Sequence, residues 1–185
     1  MSSNNENRQR LLELAKSSIQ HGLQTGRPVK IDLADYPEEL TEPRATFVTL
    51  QINHQLRGCI GMLEAVRPLA EDIAENAFSA AFKDPRFPPL EARELEALEI
   101  HLSILTPAEP VSFSSEQDLL SQLRPGIDGL ILQEGHRRGT FLPSVWESLP
   151  KPGQFLWHLK QKAGLPPDYW SNNIKIYRYQ AEIID

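Results

Sequence analysis

Residues 45–63 read ATFVTLQINHQLRGCIGML, and this stretch decides the fold of the chain around it. Its first part, Ala45–Ile52, alternates in hydrophobicity and is rich in β-branched residues, as in a strand with one buried face. The residues 53–55 interrupt the alternation and predict a short turn, after which 56–63 returns as a second strand. The sequence therefore predicts an antiparallel hairpin, whose second strand carries the motif Arg57-Gly58-Cys59-Ile60-Gly61.

The composition is that of a mildly acidic protein with a single cysteine. The 185 residues carry 19 Lys and Arg against 25 Asp and Glu, for a formal net charge of −6. Proteins that bind nucleic acid usually show a basic footprint, and the longest basic run here is Arg137-Arg138. The polar start and the lack of an apolar run of about 18 residues predict no secretion signal and no membrane span. We therefore expect a cytoplasmic protein that binds neither nucleic acid nor membrane.

Helices and strands are predicted on both sides of the hairpin. Apolar residues at helical spacing predict a first helix from about Glu6 to His21, ended by Gly22. A second helix is predicted over 69–83, where many alanines allow it to lie close to a sheet. A stiff proline-containing loop and a strand over Leu98–Leu105 follow. The hairpin is thus expected to be covered by helices on one face.

The second half of the chain repeats this order weakly. Ser114 and Gln117 resemble a capping box that opens a short helix, and a second hairpin is predicted over 129–142. The remaining predicted elements are two proline-led helices and a last strand: 143–148, 152–163 and 174–183. Each half thus offers a hairpin with an Arg-Gly step, a helix that begins with proline, and a strand.

These patterns predict an α+β fold in which antiparallel sheets are covered by helices. Two sub-lobes with weak internal duplication are expected to meet at a candidate cleft. No Gly/Ser-rich or low-complexity segment divides the chain, so residues 1–185 are interpreted as one domain.

Cys59 has the most specific surroundings of any candidate site residue. Alternation along the strand places Arg57, Cys59 and Gly61 on one face. The other face, expected to meet the core, carries three apolar side chains: Leu56, Ile60 and Met62. A neighbouring guanidinium favours the thiolate, which is the nucleophilic form of cysteine, and Gly58 and Gly61 allow another backbone or a ligand to approach. A free cysteine also packs as a small hydrophobic residue, so a structural thiol and covalent chemistry both stay open.

The loop after the second helix, Asp84-Pro85-Arg86-Phe87-Pro88-Pro89, holds a second candidate site. Arg86 has the planar guanidinium that binds carboxylate and phosphate groups. The alternative is a structural turn, in which Asp84 and Arg86 satisfy each other and the local backbone while Phe87 fills the core.

No motif in the sequence identifies a metal or a cofactor. The chain has no P-loop, no dinucleotide-binding glycine motif, no HExxH and no pair of cysteines, and we expect neither a metal nor a cofactor. A general base for Cys59 is not fixed by the sequence. The candidates are His54, His101 and His158, and each depends on the fold to bring it near the thiol.

Several separated motifs, in one order along the chain, resemble the AMMECR domain family. The matching segments are 56–61, 76–81, 84–89, 102–106, 126–131, 140–146, 162–165 and Trp170. The resemblance covers nearly the whole chain. The short form with this C-terminal half is similar to the prokaryotic branch called AmmeMemoRadiSam system protein A.

The resemblance implies an α+β fold of two sub-lobes, and company with a Memo-type protein and a radical-SAM protein. It implies no settled activity. The first hypothesis is an accessory component that modifies a small molecule or a protein through Cys59. Its candidate binding residues are Arg57, Gly58, Gly61, Asp84 and Arg86. The second hypothesis is a non-catalytic adaptor that binds the same partners.

Overall fold

A computed structural model describes residues 2–185, with side chains from Asn4 onward. In chain order the helices and strands are α1 (Ser2–Thr25), β1 (Ala45–Ile52), β2 (Gln55–Gly61), α2 (Leu69–Phe82), β3 (Leu98–Leu105), β4 (Glu109–Pro110), α3 (Glu116–Gln122), β5 (Gly129–Glu134), β6 (Arg137–Phe141), α4 (Pro152–Lys162), β7 (Lys175–Tyr179) and β8 (Ala181–Ile184). Short 3-10 helices lie at Leu33–Asp35, Glu38–Leu40, Ala92–Ala97 and Pro143–Glu147. None of the helices described here is both long enough and apolar enough to cross a membrane.

The chain divides into two compact units. The first contains the chain up to Leu105 together with Glu182–Asp185, and the second contains Thr106–Ala181. The predicted hairpin forms the centre of the first unit, where β1 pairs antiparallel with β2 on one side and β3 on the other, and β8 lies beyond β3. Val48 and Leu50 of β1 are fully buried, because α2 packs on their face of the sheet and α1 packs on α2.

The hairpin turn is shorter than the predicted three residues. Asn53 and His54 have positive φ angles of 52° and 62°, which is the backbone of a two-residue I′ turn. Gln55 already belongs to β2. Asn adopts positive φ angles more readily than most residues, so the residues of the turn themselves favour this conformation.

A β-bulge interrupts the pairing of β1 with β2 opposite Arg57. Strict alternation of side chains therefore does not carry across Arg57. The prediction that Leu56 and Met62 face the core is wrong, since both are exposed, and only Ile60 packs against the core. Leu56 pairs with Gln51 before the bulge, so the bulge turns its side chain to the face away from Val48 and Leu50, and Met62 follows the last residue of β2.

The first helix is longer than predicted and does not end at Gly22. It continues to Thr25, and Gly26, with φ of 71°, follows its last residue. Gly22 instead lies where α1 contacts α2. A Cβ at this position would come within 2.7 Å of the Phe78 ring and would also overlap Phe82, so glycine permits the close helix contact.

The second unit is built on the second predicted hairpin. β5 pairs antiparallel with β6 and β7, β4 lies beyond β7, and α4 contacts β6. The cap of α3 was predicted one residue early: Ser115 accepts the backbone N–H of Asp118 at 3.1 Å. The last predicted strand is in fact two strands, β7 and β8, separated at Gln180. The N–H and C=O of Gln180 bind Thr106 instead of continuing a ladder.

The two units repeat one arrangement, in which a hairpin is followed by a helix and then by a strand that pairs with the first hairpin strand. The repeats are β1-β2-α2-β3 and β5-β6-α4-β7. In each, a glycine of the second hairpin strand lies against the C-terminal end of the helix. A Cβ on Gly58 would overlap the carbonyl oxygen of Ala80, and one on Gly139 would lie 2.8 Å from the amide nitrogen of Ala163. The α+β fold class with two antiparallel sheets is confirmed.

Candidate functional site

Cys59 lies on β2, one of the two edge strands of the first sheet. It is paired opposite Thr49 of β1, which is in turn opposite His101 of β3. The preceding residue, Gly58, faces α2, so the side chain of Cys59 points away from the helix-covered face. The thiol is half-buried, and its sulfur lies 3.2 Å from Oγ1 of Thr49. Thr49 thus fixes the position of the sulfur on the sheet.

Asp84 lies in the loop after α2 and binds this loop to the edge of β2 that has no strand partner. Its carboxylate is nearly buried and accepts the backbone N–H of Cys59 at 3.0 Å. It also accepts Nε and Nη2 of Arg86 at 3.0 and 2.7 Å. The Arg86 guanidinium, aided by the N–H of Cys59 and against the effect of burial, holds the pKa of Asp84 well below its usual range. Asp84 is therefore ionised and links the thiol's backbone to Arg86.

Arg86 is more accessible than Arg57, with 55% of its side chain exposed. Its ion pair with Asp84 raises the pKa of Arg86, and a smaller contribution comes from the nearby Cys59. The guanidinium lies 5.5 Å from the centre of the Phe87 ring. Asp84 and Arg86 satisfy each other, as the structural alternative expected, but Phe87 is only half-buried and is not part of the core, and Arg86 still presents an edge to solvent.

Arg57 is turned into the structure rather than towards solvent. Its Nε and Nη2 donate to Glu94 at 2.7 and 3.2 Å, and Nη2 also donates to the carbonyl of Pro88 at 2.8 Å. The same guanidinium holds the pKa of Glu94 below its usual range. Nη1 is buried and has no partner among the described residues. Most of the binding capacity of Arg57 is therefore used to hold the 88–94 segment against β2.

The glycines of the motif serve contacts within the chain. Gly58 lies against α2, and a Cβ on Gly61 would overlap the carbonyl of Thr46 on β1. The close backbone approach anticipated at both positions is thus made by the protein's own backbone. Arg57, Cys59, Asp84 and Arg86, by contrast, are brought together around the edge of β2.

The histidines considered as bases lie in different places. His54 is in the hairpin turn and is almost fully exposed, 3.5 Å from Glu99. His101 is in the same cross-strand row as Thr49, and its Nδ1 is 3.5 Å from Asp185. His158 packs edge-on against Trp157 on α4, in the second unit. No group of three or more His, Cys, Asp or Glu within the described part of the chain is arranged to hold a metal ion.

Two contacts of the site were missed by reasoning from the sequence. A two-residue turn at Asn53 and His54 would by itself set Thr49 across from Gly58, and the bulge at Arg57 shifts this pairing to Cys59, so the hairpin pattern indicates Thr49 only to within one residue. Glu94 carried no such signal, since it lies 37 residues from Arg57 and the ion pair depends on the path of the intervening loop.

The AMMECR1 family model matches residues 12–184 of the chain. The chain belongs to the AMMECR1 family. Relatives include a protein of Methanothermobacter thermautotrophicus, 39% identical and covering 94% of this chain and 91% of its own, and one of Methanocaldococcus jannaschii, 42% identical and covering 84% and 80%. The resemblance to the AMMECR domain family inferred from the motifs is confirmed.

The similarity of this chain to known proteins extends to the three-dimensional structure. The crystal structure of an uncharacterised protein from Pyrococcus horikoshii matches with a TM-score of 0.86 at 37% identity, covering 94% of this chain and 88% of that one. The described arrangement of sheets and helices is therefore that of a solved relative.

Proposed function

We propose that this AMMECR1-family protein is a cytoplasmic accessory component of a three-protein system with a Memo-type and a radical-SAM protein, and that it modifies a small molecule or a protein through Cys59. The partners are inferred from the family resemblance. The proposal of chemistry at Cys59 rests on one observation: the half-buried sulfur is held by Thr49 on the face of the sheet away from α2.

The contacts around the thiol restrict its movement. Its backbone N–H is bound by Asp84, and β2 is fixed to α2 through Gly58. Catalytic groups act best when they are preorganised by neighbours that cannot move. Arg86 supplies a partly exposed guanidinium near the thiol, suited to orienting a carboxylate or phosphate of the substrate.

Labelling of the folded protein by iodoacetamide tests this proposal directly. Cys59 is the single cysteine, so mass spectrometry reports one site. We expect the Arg86→Gln protein to be labelled several-fold more slowly, because the positive charge near the attacking sulfur is removed. The matched control is Arg93→Gln, which removes the same charge from an exposed arginine paired with Glu91. Equal labelling rates for the two variants would contradict a role for Arg86 at the thiol.

A non-catalytic adaptor is the second candidate, and the charge balance favours it. Arg86 is paired with Asp84 and Arg57 with Glu94, so each cation near the motif has its own carboxylate. In that case Cys59→Ser leaves partner binding and the cellular phenotype unchanged. Co-purification with the Memo-type and radical-SAM proteins, together with complementation by the Cys59→Ser gene, separates the candidates: binding without complementation supports chemistry at the thiol.

A further inference from the structure

A polar cavity of about 400 Å³ lies in the second unit, at the ends of β4 and β7. Arg124, Arg178 and Glu109 contribute to its wall. Arg178 is on β7 and is paired opposite Glu109 of β4, while Arg124 begins the turn that leads into β5. Cavities of this size accommodate small molecules.

A buried carboxylate anchors the first arginine. Asp128 is completely buried and accepts Nε and Nη2 of Arg124 at 3.0 and 2.7 Å, as well as the backbone N–H of Arg124 at 2.9 Å. The carbonyl of Asp128 accepts the indole N–H of Trp146, which belongs to the core. Gly126, with φ of 81°, allows the tight turn between the two residues. Arg124 is therefore held rigidly at the cavity.

The second arginine is held loosely. Nη1 of Arg178 lies 3.9 Å from the carboxylate of Asp128 and 3.5 Å from the carbonyl of Gln122. Its Nε and Nη2 have no hydrogen-bond partner among the described residues. Two guanidiniums thus share one buried carboxylate. Glu109 on the wall balances the remaining positive charge, and several N–H donors of Arg178 are left for the cavity. An arginine with free donors beside a fixed one is a suitable receptor for a planar or tetrahedral anion.

We propose that this cavity binds a small molecule through a carboxylate or phosphate group, which Arg178 contacts directly and Arg124 holds from a second side. Glu109 places a negative charge on the same wall, so ligands with one anionic group, or with an amine next to it, fit better than polyanions. This site lies wholly within the second unit and is independent of any chemistry at Cys59.

Titration with acetate and with inorganic phosphate, followed by NMR of arginine side-chain N–H signals, tests the proposal. We expect saturable shifts of the Arg178 signal. Arg178→Ala should weaken binding by about tenfold or more, as expected for loss of charge-assisted hydrogen bonds. Arg137→Ala, which removes an equal charge from an arginine bound to the Gly164 carbonyl in the same unit, should bind like the parent protein.

Arg178→Ala leaves Asp128 paired with Arg124, so the variant is expected to fold, and its circular dichroism spectrum should match that of the parent protein. Glu109→Gln should strengthen binding severalfold, because it removes the repulsion of the anion. Tighter binding of acetate would assign a carboxylate ligand, and tighter binding of phosphate a phosphate ligand. Non-saturable shifts, or equal weakening of binding by Arg178→Ala and Arg137→Ala, would show only nonspecific attraction of anions to positive charge. Either result would overturn the proposal.

Discussion

At the scale of single residues, buried polar groups organise both units. Asp84 joins the backbone of Cys59 to Arg86, and Asp128 joins the turn before β5 to Arg124. Each carboxylate is buried next to a guanidinium that remains partly open to solvent. Burial of an ionised carboxylate is costly unless its oxygens are bound, so these residues act as fixed points from which arginines extend.

Tyr179 gives a pH dependence that belongs to one buried residue. Burial raises the pKa of Tyr179 to about 12, while its hydroxyl donates to the carbonyl of Phe141 and lies 3.1 Å from the hydroxyl of Thr140. The neutral phenol is favoured by folding, so its contribution is complete below the ordinary tyrosine pKa near 10 and is lost as the pH rises towards 12. We expect the free energy of unfolding to fall by roughly 2–3 kcal/mol over this range, at about 1.4 kcal/mol per pKa unit.

Urea denaturation at pH 9 to 12 measures this decline. The Tyr179→Phe protein should lose most of it and keep a smaller part, because burial also raises the pKa of Tyr36. Tyr177→Phe leaves Tyr179 in place and should retain the full decline. An unchanged decline in Tyr179→Phe would show that another group controls alkaline unfolding.

At the scale of elements, small residues set how closely helices approach the sheets and each other. Ala80 lies over Gly58 in the first unit, and Ala163 lies beside Gly139 in the second. The repeated Arg-Gly step of the sequence is thus explained by packing, because the glycine in each repeat is the residue against which a helix end lies. The arginine of the first step, Arg57, then ties the next loop to the strand.

Gly22→Ala tests the contact between α1 and α2. Alanine is a better helix former than glycine by about 1 kcal/mol, so the change would stabilise an exposed helix. Here the new methyl would meet the rings of Phe78 and Phe82, and we expect a net loss of about 1–3 kcal/mol in urea denaturation. Gly153→Ala in α4 is the matched control, since nothing lies within 4 Å of its added Cβ, and it should be neutral or stabilising. Similar effects of the two changes would contradict a tight contact.

At the scale of the whole molecule, the chain returns to its first sheet in its last residues. β7 belongs to the second sheet, and after Gln180 the chain enters β8 of the first. Ile184 of β8 is 2% exposed in the core of the first unit, and Arg8 of α1 donates to the carbonyl of Ile183. The first unit is therefore completed only when the end of the chain is in place.

Ile184→Ala should consequently destabilise the first unit. Truncation of a buried isoleucine costs roughly 2–5 kcal/mol. The neighbouring Ile183 is 46% exposed, so Ile183→Ala should change stability by about 0.5 kcal/mol or less. Hydrogen exchange locates the effect, with protection lost in β3 and α1 for Ile184→Ala. Equal stability of the two variants would mean that β8 is not part of the folded core.

The sequence by itself determined most of the local elements, the α+β class and the family. Hydrophobic alternation predicted β1 and β3 with the bounds that the structure shows, and proline and alanine residues predicted α2. Several separated motifs indicated the AMMECR1 family. The hairpin turn, by contrast, was predicted one residue too long, and the last strand was predicted as one strand instead of two. The features that were predicted correctly follow from hydrophobic alternation and special residues along the chain. Patterns of that kind can be recognised before any tertiary contact exists.

Only the tertiary structure decided which distant groups meet. The bulge at Arg57 and its pairing with Glu94, the approach of Asp84 to Cys59, and the arginines around Asp128 could not be predicted. Each depends on loop paths and on which strand neighbours which. The physical reason is that an ion pair or a strand partner is selected by the packing free energy of the whole unit, while local patterns fix only the dihedral angles and buried faces of each segment.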